Sequence, residues 1–203
     1  MMSPVEVVVL DMGGVACEFV PARRLDALVA LSGRPPAAVD DALFGSGLDD
    51  RAERGELTLD EVYEAIDAEL GPELSRDAVR RAWAQAFVPD AELLALVRTA
   101  RRATALFTNN GPLIEDCLAH ELSSVTTAFD RLLVSWRLGV TKPHPDAYAK
   151  ATTALGVEAA DVLFVDDSPA SVAAALAAGW NAHPYRGTGC LGELFEAHGL
   201  LAA

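Results

Sequence analysis

The chain has 203 residues, 51% of them hydrophobic and 23% charged, with a formal net charge of −14 at pH 7. That length buries a core without disulfides or metals as staples, and the composition is that of a globular domain with at most a modest insertion. The negative balance argues against nucleic acid or an anionic membrane as a partner, and it obliges any phosphate site to carry local positive charge or a metal.

In chain order, the first element is the run from Val5 to Leu10. It is short, nearly all apolar and rich in β-branched residues, which suits a strand buried on both faces of a parallel sheet. The residues before it lack a basic stretch, and the run is too short for a signal peptide or a membrane span, so a soluble cytoplasmic protein is expected. Cys17, Cys117 and Cys190 are odd in number and far apart, with no CxxC pair. They predict neither a disulfide framework nor a zinc site, in keeping with a reducing compartment.

After Asp11 the next strand pattern comes only at Ala103–Thr108, far beyond the ~30 residues of a βαβ unit. The interval reads as helices over 25–31, 37–44, 59–70 and 76–87, where apolar residues recur at helical spacing. Thr58 and Glu61 have the form of a capping box at the head of the third of these. The spacing predicts a small helical subdomain over 17–89, set between core segments 1–16 and 90–203. Further strands are expected at Leu132–Ser135, Val162–Asp166 and, more weakly, Asn181–Tyr185. Helices are expected at Asp146–Leu155, between Pro145 and Gly156, and at Ala170–Ala178, between Ser168-Pro169 and Gly179. Alternating strands and helices predict an α/β fold with a Rossmann-like, doubly wound parallel sheet.

In such sheets ligands bind outside the carboxyl ends of the strands. Those ends here read Asp11-Met12-Gly13-Gly14, Thr108-Asn109-Asn110-Gly111, Lys142-Pro143-His144-Pro145 and Asp166-Asp167-Ser168. The set suits phosphoryl transfer, which depends on positioning and charge neutralisation. Asp11 can attack phosphorus and split one displacement into two. Asp166 and Asp167 beside it make a hard oxygen pocket suited to Mg²⁺, and a cation relieves the mutual repulsion of three acids. Thr108 and Asn109 can hold the remaining phosphate oxygens, and Lys142 can neutralise both phosphate and nucleophile. Taken singly these signals are weak. Gly13-Gly14 alone is an ordinary turn, and G-x-G-x-x-G is absent. Trp83 and Phe87, four apart, read as packing within the insert; Arg51 and Arg54 read as a solvated face, and His144 as a loop residue.

The ordered set resembles the haloacid dehalogenase superfamily. Val7-Val8-Val9-Leu10-Asp11-Met12-Gly13-Gly14-Val15 is similar to its first motif and Leu106-Phe107-Thr108-Asn109 to its second. Thr141-Lys142-Pro143-His144-Pro145 resembles the third, and Phe164-Val165-Asp166-Asp167-Ser168 the fourth. The branch that looks nearest is that of sugar-phosphate (α-D-glucose-1-phosphate) phosphatases, whose first motif reads D-x-G-x-V; Glu53-Arg54-Gly55-Glu56 resembles it too. The resemblance implies a helical cap after the first motif and Asp11 as nucleophile, assisted by Lys142 and Thr108. It also implies phosphate held by Thr108, Asn109 and Lys142, and Mg²⁺ held by Asp11, the Gly13 carbonyl, Asp166 and Asp167. The substrate it implies is a small phosphorylated metabolite.

Two positions depart from the pattern. Gly13 replaces the superfamily's acid–base aspartate, a group worth roughly 10²–10⁴-fold where positioned, so Gly13 predicts a bias toward esters with good leaving groups. Ser171 stands where Asp or Asn is usual, which weakens support for Lys142 or the metal. Two other functions fit less well: a metal-free dehalogenase in which Asp11 attacks carbon, and a catalytically weakened phosphate-binding protein. Asp166-Asp167 speaks against the first, and the joint presence of Asp11, Lys142 and Asp167 against the second. No pattern in the chain fixes an oligomeric state.

Overall fold

The computed structural model describes residues 5–71 and 74–201. Its strands are β1 (Val7–Leu10), β2 (Cys17–Phe19), β3 (Phe87–Pro89), β4 (Ala103–Thr108), β5 (Arg131–Val134), β6 (Val162–Asp166) and β7 (Asn181–Pro184). Five of them form one parallel sheet in the order β5-β4-β1-β6-β7. All four residues of β1 are buried, because the strand is central and both faces of the sheet are covered. Its side chains alternate as a strand requires: Val7 and Val9 enter one hydrophobic cluster, Val8 and Leu10 the other.

The insert carries α1 (Pro21–Ser32), α2 (Pro36–Asp40), α3 (Leu48–Glu53), α4 (Leu59–Leu70) and α5 (Arg76–Ala84). The remaining helices are α6 (Ala91–Val97), α7 (Leu113–Ala119), α8 (Ser123–Thr126), α9 (Ser135–Leu138), α10 (Pro145–Leu155), α11 (Pro169–Ala177) and α12 (Thr188–Ala197). Beneath α10 and α11, Tyr148 meets Phe107, Phe164 and Trp180 edge to face, with Tyr148 and Trp180 centroids 5.3 Å apart at 89°, the arrangement ring quadrupoles favour. The opposite cluster joins Leu10, Leu106 and Val165 of the sheet to Leu28, Val39, Leu43 and Ile66 of the insert without a break. No helix among the described residues is long and apolar enough to cross a membrane.

Punctuation in the sequence sets several boundaries. Thr58 and Glu61 form the reciprocal capping box of α4, Ser168 caps α11, and Gly156 closes α10 in the left-handed region. Elsewhere the structure differs from the periodic reading. The helix expected over 76–87 stops at Ala84, because Phe87 belongs to β3 and pairs with Phe19 of β2 in an antiparallel ribbon. That ribbon leads the chain into and out of the insert; three residues per strand are too few to show a period. The helix expected over 37–44 is a short α2 followed by one π-helical turn over Asp41–Gly45. Ser135, expected at the end of a strand, opens α9 instead.

Candidate active site

The parallel register brings three strand ends together. Leu10 lies between Leu106 and Val165, so Asp11 emerges beside the last residues of β4 and β6. The chain order reverses across β1, which opens a crevice at that edge. The turn after Asp11 needs glycine at position 14: its φ is +84°, and a Cβ there would collide with the Asp167 carboxylate. Asp167 therefore closes over a bare backbone.

Lys142 is the hub. It is 6% exposed, and its Nζ donates to Asp11 Oδ1 at 2.7 Å, to Asp166 Oδ2 at 2.6 Å and to the Phe107 carbonyl at 2.9 Å. An ammonium has three donors, so in this arrangement all are committed and the lysine holds Asp11 in place. Asn109 acts on the same residue: its Nδ2 donates to the Lys142 carbonyl at 2.8 Å, and its Oδ1 accepts from the Lys142 amide at 2.9 Å. Sequence reasoning gives Asn109 to the phosphate; its amide also brackets the Lys142 backbone, and one Nδ2 hydrogen is left over in the crevice it lines. Ser171 lines the crevice, and its carbonyl accepts from Tyr148 Oη at 2.8 Å. Asp166, at the end of β6, serves Lys142 where support from position 171 is expected.

Asp166 uses its second oxygen to accept from the Ser168 amide at 2.8 Å. Thr108, 2% exposed, accepts from Asn110 Nδ2 at 2.7 Å, which leaves its hydroxyl hydrogen for another acceptor. Asp11, Asp166 and Asp167 each place a ligand oxygen within 4.8 Å of the others. Burial pushes the Asp11 carboxyl up to about 6, against the pull of Lys142. Burial alone would lower the Lys142 ammonium, but Asp11 and Asp166 hold it above the ordinary lysine range. Asp167 is raised by burial and by the neighbouring charge of Asp166. Such a cluster is a donor set suited to a hard cation, whose binding would compete with protonation of the same carboxylates.

The other wall comes from the insert. Phe19, Arg24, Asp49, Glu53 and Phe87 line the same crevice, whose volume is about 300 Å³. Arg24 is 4% exposed. Its guanidinium lies 4.1 Å from the Trp83 ring centroid and 5.4 Å from that of Phe87. Its Nε donates to the Trp83 carbonyl at 3.2 Å, while its Nη2 is buried without a partner among the described residues. Burial drags the Arg24 guanidinium below its ordinary value, and the charges of Asp49 and Glu53 oppose that shift. A Cβ at Gly13 would meet Phe19 at 3.5 Å and Phe87 at 3.7 Å, so the space beside Gly13 faces aromatic carbon. Sequence reasoning missed this wall. The one usable signal was the spacing of Asp49 and Glu53, four apart and therefore on one helix face. Arg51 and Arg54 are exposed and pair with Glu56, and His144 caps α10 by accepting from the Asp146 amide at 3.2 Å.

Comparisons with known proteins identify the family. The sequence matches the haloacid dehalogenase-like hydrolase family over residues 5–179. It is 25% identical over 173 residues to a D-ribitol-5-phosphate phosphatase of Bacteroides thetaiotaomicron, covering 81% of this chain and 84% of that one. A phosphatase of Mycobacterium tuberculosis is 29% identical over 196 residues, covering 88% and 86%. Among solved structures, a HAD family enzyme of B. thetaiotaomicron in complex with magnesium and inorganic phosphate superposes with a TM-score of 0.71 at 18% identity, over 90% of this chain and 94% of that one. The chain belongs to the haloacid dehalogenase-like hydrolase family.

Proposed function

We propose that this hydrolase is a Mg²⁺-dependent phosphatase of small phosphorylated metabolites, acting through an aspartyl-phosphate on Asp11. The observation that carries the reading is the cluster of Asp11, Asp166 and Asp167 built around the Asp11–Lys142 ion pair. Three carboxylates in a half-open crevice are an all-oxygen donor set, which suits Mg²⁺. Asp11, Asp166, Asp167 and the Gly13 carbonyl would hold the ion, which supplies charge for a phosphate oxygen. Lys142 keeps Asp11 aimed and prepared to ionise, and the free hydroxyl hydrogen of Thr108 is placed to donate to a phosphate oxygen. Residues 17–89 act as the cap in this reading, with Phe19, Arg24, Asp49 and Phe87 forming the wall against the leaving group. A crevice of about 300 Å³ sits at the small end of ligand pockets and suits a metabolite the size of a sugar or polyol phosphate. The names of both curated relatives, one specifying a pentitol phosphate, support that class.

A metal-free dehalogenase has no use for Asp167 beside Asp166, and that pair favours the phosphatase. The test is a panel of phosphorylated metabolites assayed with Mg²⁺ and with EDTA, for wild type and Asp11→Asn. Hydrolysis should require the metal and fall by more than about 10³-fold in the variant, the scale expected for losing a nucleophile. Turnover that persists in EDTA would overturn the metal assignment, and turnover that persists in Asp11→Asn would overturn the nucleophile.

A further inference from the structure

Gly13 leaves the leaving oxygen and the hydrolytic water without an obvious proton partner, and the crevice offers few candidates. Its carboxyl groups are Asp11, Asp49, Glu53, Asp166 and Asp167. Asp11 is the nucleophile, Asp166 has both oxygens engaged by Lys142 and the Ser168 amide, and Asp167 belongs to the cation cluster. Asp49 and Glu53 remain, one turn apart on α3. Glu53 ends that helix, and its carbonyl accepts from Ser135 Oγ at 2.8 Å, while the same oxygen of Ser135 accepts from the Asn110 amide at 3.0 Å. The backbone of Glu53 is thus tied through one hydroxyl to the loop that follows Thr108.

The helix packs closely against the loop after β4, and the turn that follows it against α9. A Cβ at Gly111 would come 2.8 Å from that of Ala52, and one at Gly55, whose φ is +73°, would collide with the Trp136 carbonyl. This contact fixes Glu53 against the core rather than leaving it on a loose lid, and its carboxylate takes part in no ion pair among the described residues.

We propose that Glu53, reaching across from the insert, protonates the leaving oxygen and then activates the hydrolytic water, in the role the side chain at position 13 cannot fill. The inference rests on the phosphatase reading above. In the first step the bond from Asp11 to phosphorus forms as the ester P–O bond breaks; its electron pair goes to the leaving oxygen, which takes the Glu53 proton and departs as the alcohol. In the second, water oxygen bonds to phosphorus, one water proton returns to Glu53, and the Asp11–phosphorus bond breaks with its electrons restored to the carboxylate. The products are alcohol and inorganic phosphate, and both side chains end as they began.

The environment suits the task. Burial pushes the Glu53 carboxyl up to about 7; Asp49 and Asp50 on its own helix add to the shift, while Arg24 of α1 and Arg54 oppose it. An acid–base group works best with a pKa near the operating pH. With Glu53 in this role, the bias toward good leaving groups expected from Gly13 is relieved.

The experiment compares kcat/KM for p-nitrophenyl phosphate and for a primary alkyl phosphate in wild type, Glu53→Gln and Asp49→Asn, all with Mg²⁺. A nitrophenolate needs no proton to leave and an alkoxide does, and kcat/KM reports the first phosphoryl transfer. Glu53→Gln should lower the alkyl ester about 10²–10³-fold and p-nitrophenyl phosphate less than about threefold. A series of aryl phosphates in the same variant should give a steeper dependence on leaving-group pKa than wild type, a slope that partial misfolding does not change. An equal fall on both esters, or an unchanged slope, overturns the inference and leaves the phosphatase reading intact. A leaving-group-selective loss in Asp49→Asn instead moves the role to Asp49. Hydrolysis of neither ester by wild type overturns the phosphatase reading and this inference with it.

Discussion

Lys142 shows how one buried charge both builds and arms the site. Its ammonium balances Asp11 and Asp166 at 2.7 and 2.6 Å, and removing it strands two acids in a desolvated pocket. Breaking a buried ion pair from one side typically costs about 3–5 kcal/mol. Lys142→Met should lose about that much at pH 8 by urea unfolding without Mg²⁺. The deficit should shrink at pH 5, because burial already lifts the Asp11 carboxyl to about 6, and without the lysine it rises further and can neutralise itself. A deficit that does not change with pH would mean that packing of the lysine stem matters more than its charge. Asp11, Thr108, Lys142 and Asp166 were legible in the sequence because each ends or follows an apolar run, and strand ends in a parallel sheet converge. Asn109 was found as a crevice residue, but its engagement of the Lys142 backbone was not: an amide can bind a phosphate or a backbone equally well, and sequence alone does not show which backbone lies beside it.

Helix α3 is the element the sequence hid. It is six residues long, too short for a helical period, yet it delivers Asp49 and Glu53 to the crevice. Its anchorage is specific. Ser135 is fully buried, and its hydroxyl bridges the Glu53 carbonyl and the Asn110 backbone. Ser135→Ala leaves those groups without partners, at about 1–3 kcal/mol for each one stranded. We expect about 2–4 kcal/mol of lost stability in urea, with a larger proportional loss of kcat/KM on alkyl than on aryl phosphates as Glu53 drifts. Loss of stability with no change in that ratio would show that α3 is held by its apolar contacts alone. The longer elements were readable: α4 and α11 start at their expected caps, and β1, β4 and β6 fall on the apolar runs. The ribbon of β2 and β3 was not, because its pairing joins residues far apart in sequence.

For the whole molecule, the charge of −14 meets an anionic substrate at a site that commits its own lysine internally. At low salt the field of the protein reaches about 30 Å, and at 0.1 M about 10 Å. With Mg²⁺ kept saturating, kcat/KM should therefore rise as NaCl goes from about 0.01 to 0.1 M, the reverse of an attractive funnel. A fall over that range would reveal local positive potential at the crevice mouth that outweighs the net charge. That helices fill the long gap after Asp11 was legible; the fusion of their interior with that of the sheet was not, because periodicity shows which residues are buried but not against what.

That fusion bears on how the protein can change. Phe87 lines the crevice and stacks near Arg24, and Arg24 in turn lies over Trp83 within the packed interior. This wall of the crevice is thus the outer skin of the same packing that holds the insert to the sheet. A lid with a core of its own could trade one recognition surface for another at little cost to the rest of the fold. In this chain a new preference at Phe87 or Arg24 would have to be bought with stability, so its evolutionary routes to a new substrate run first through substitutions that strengthen the fold elsewhere.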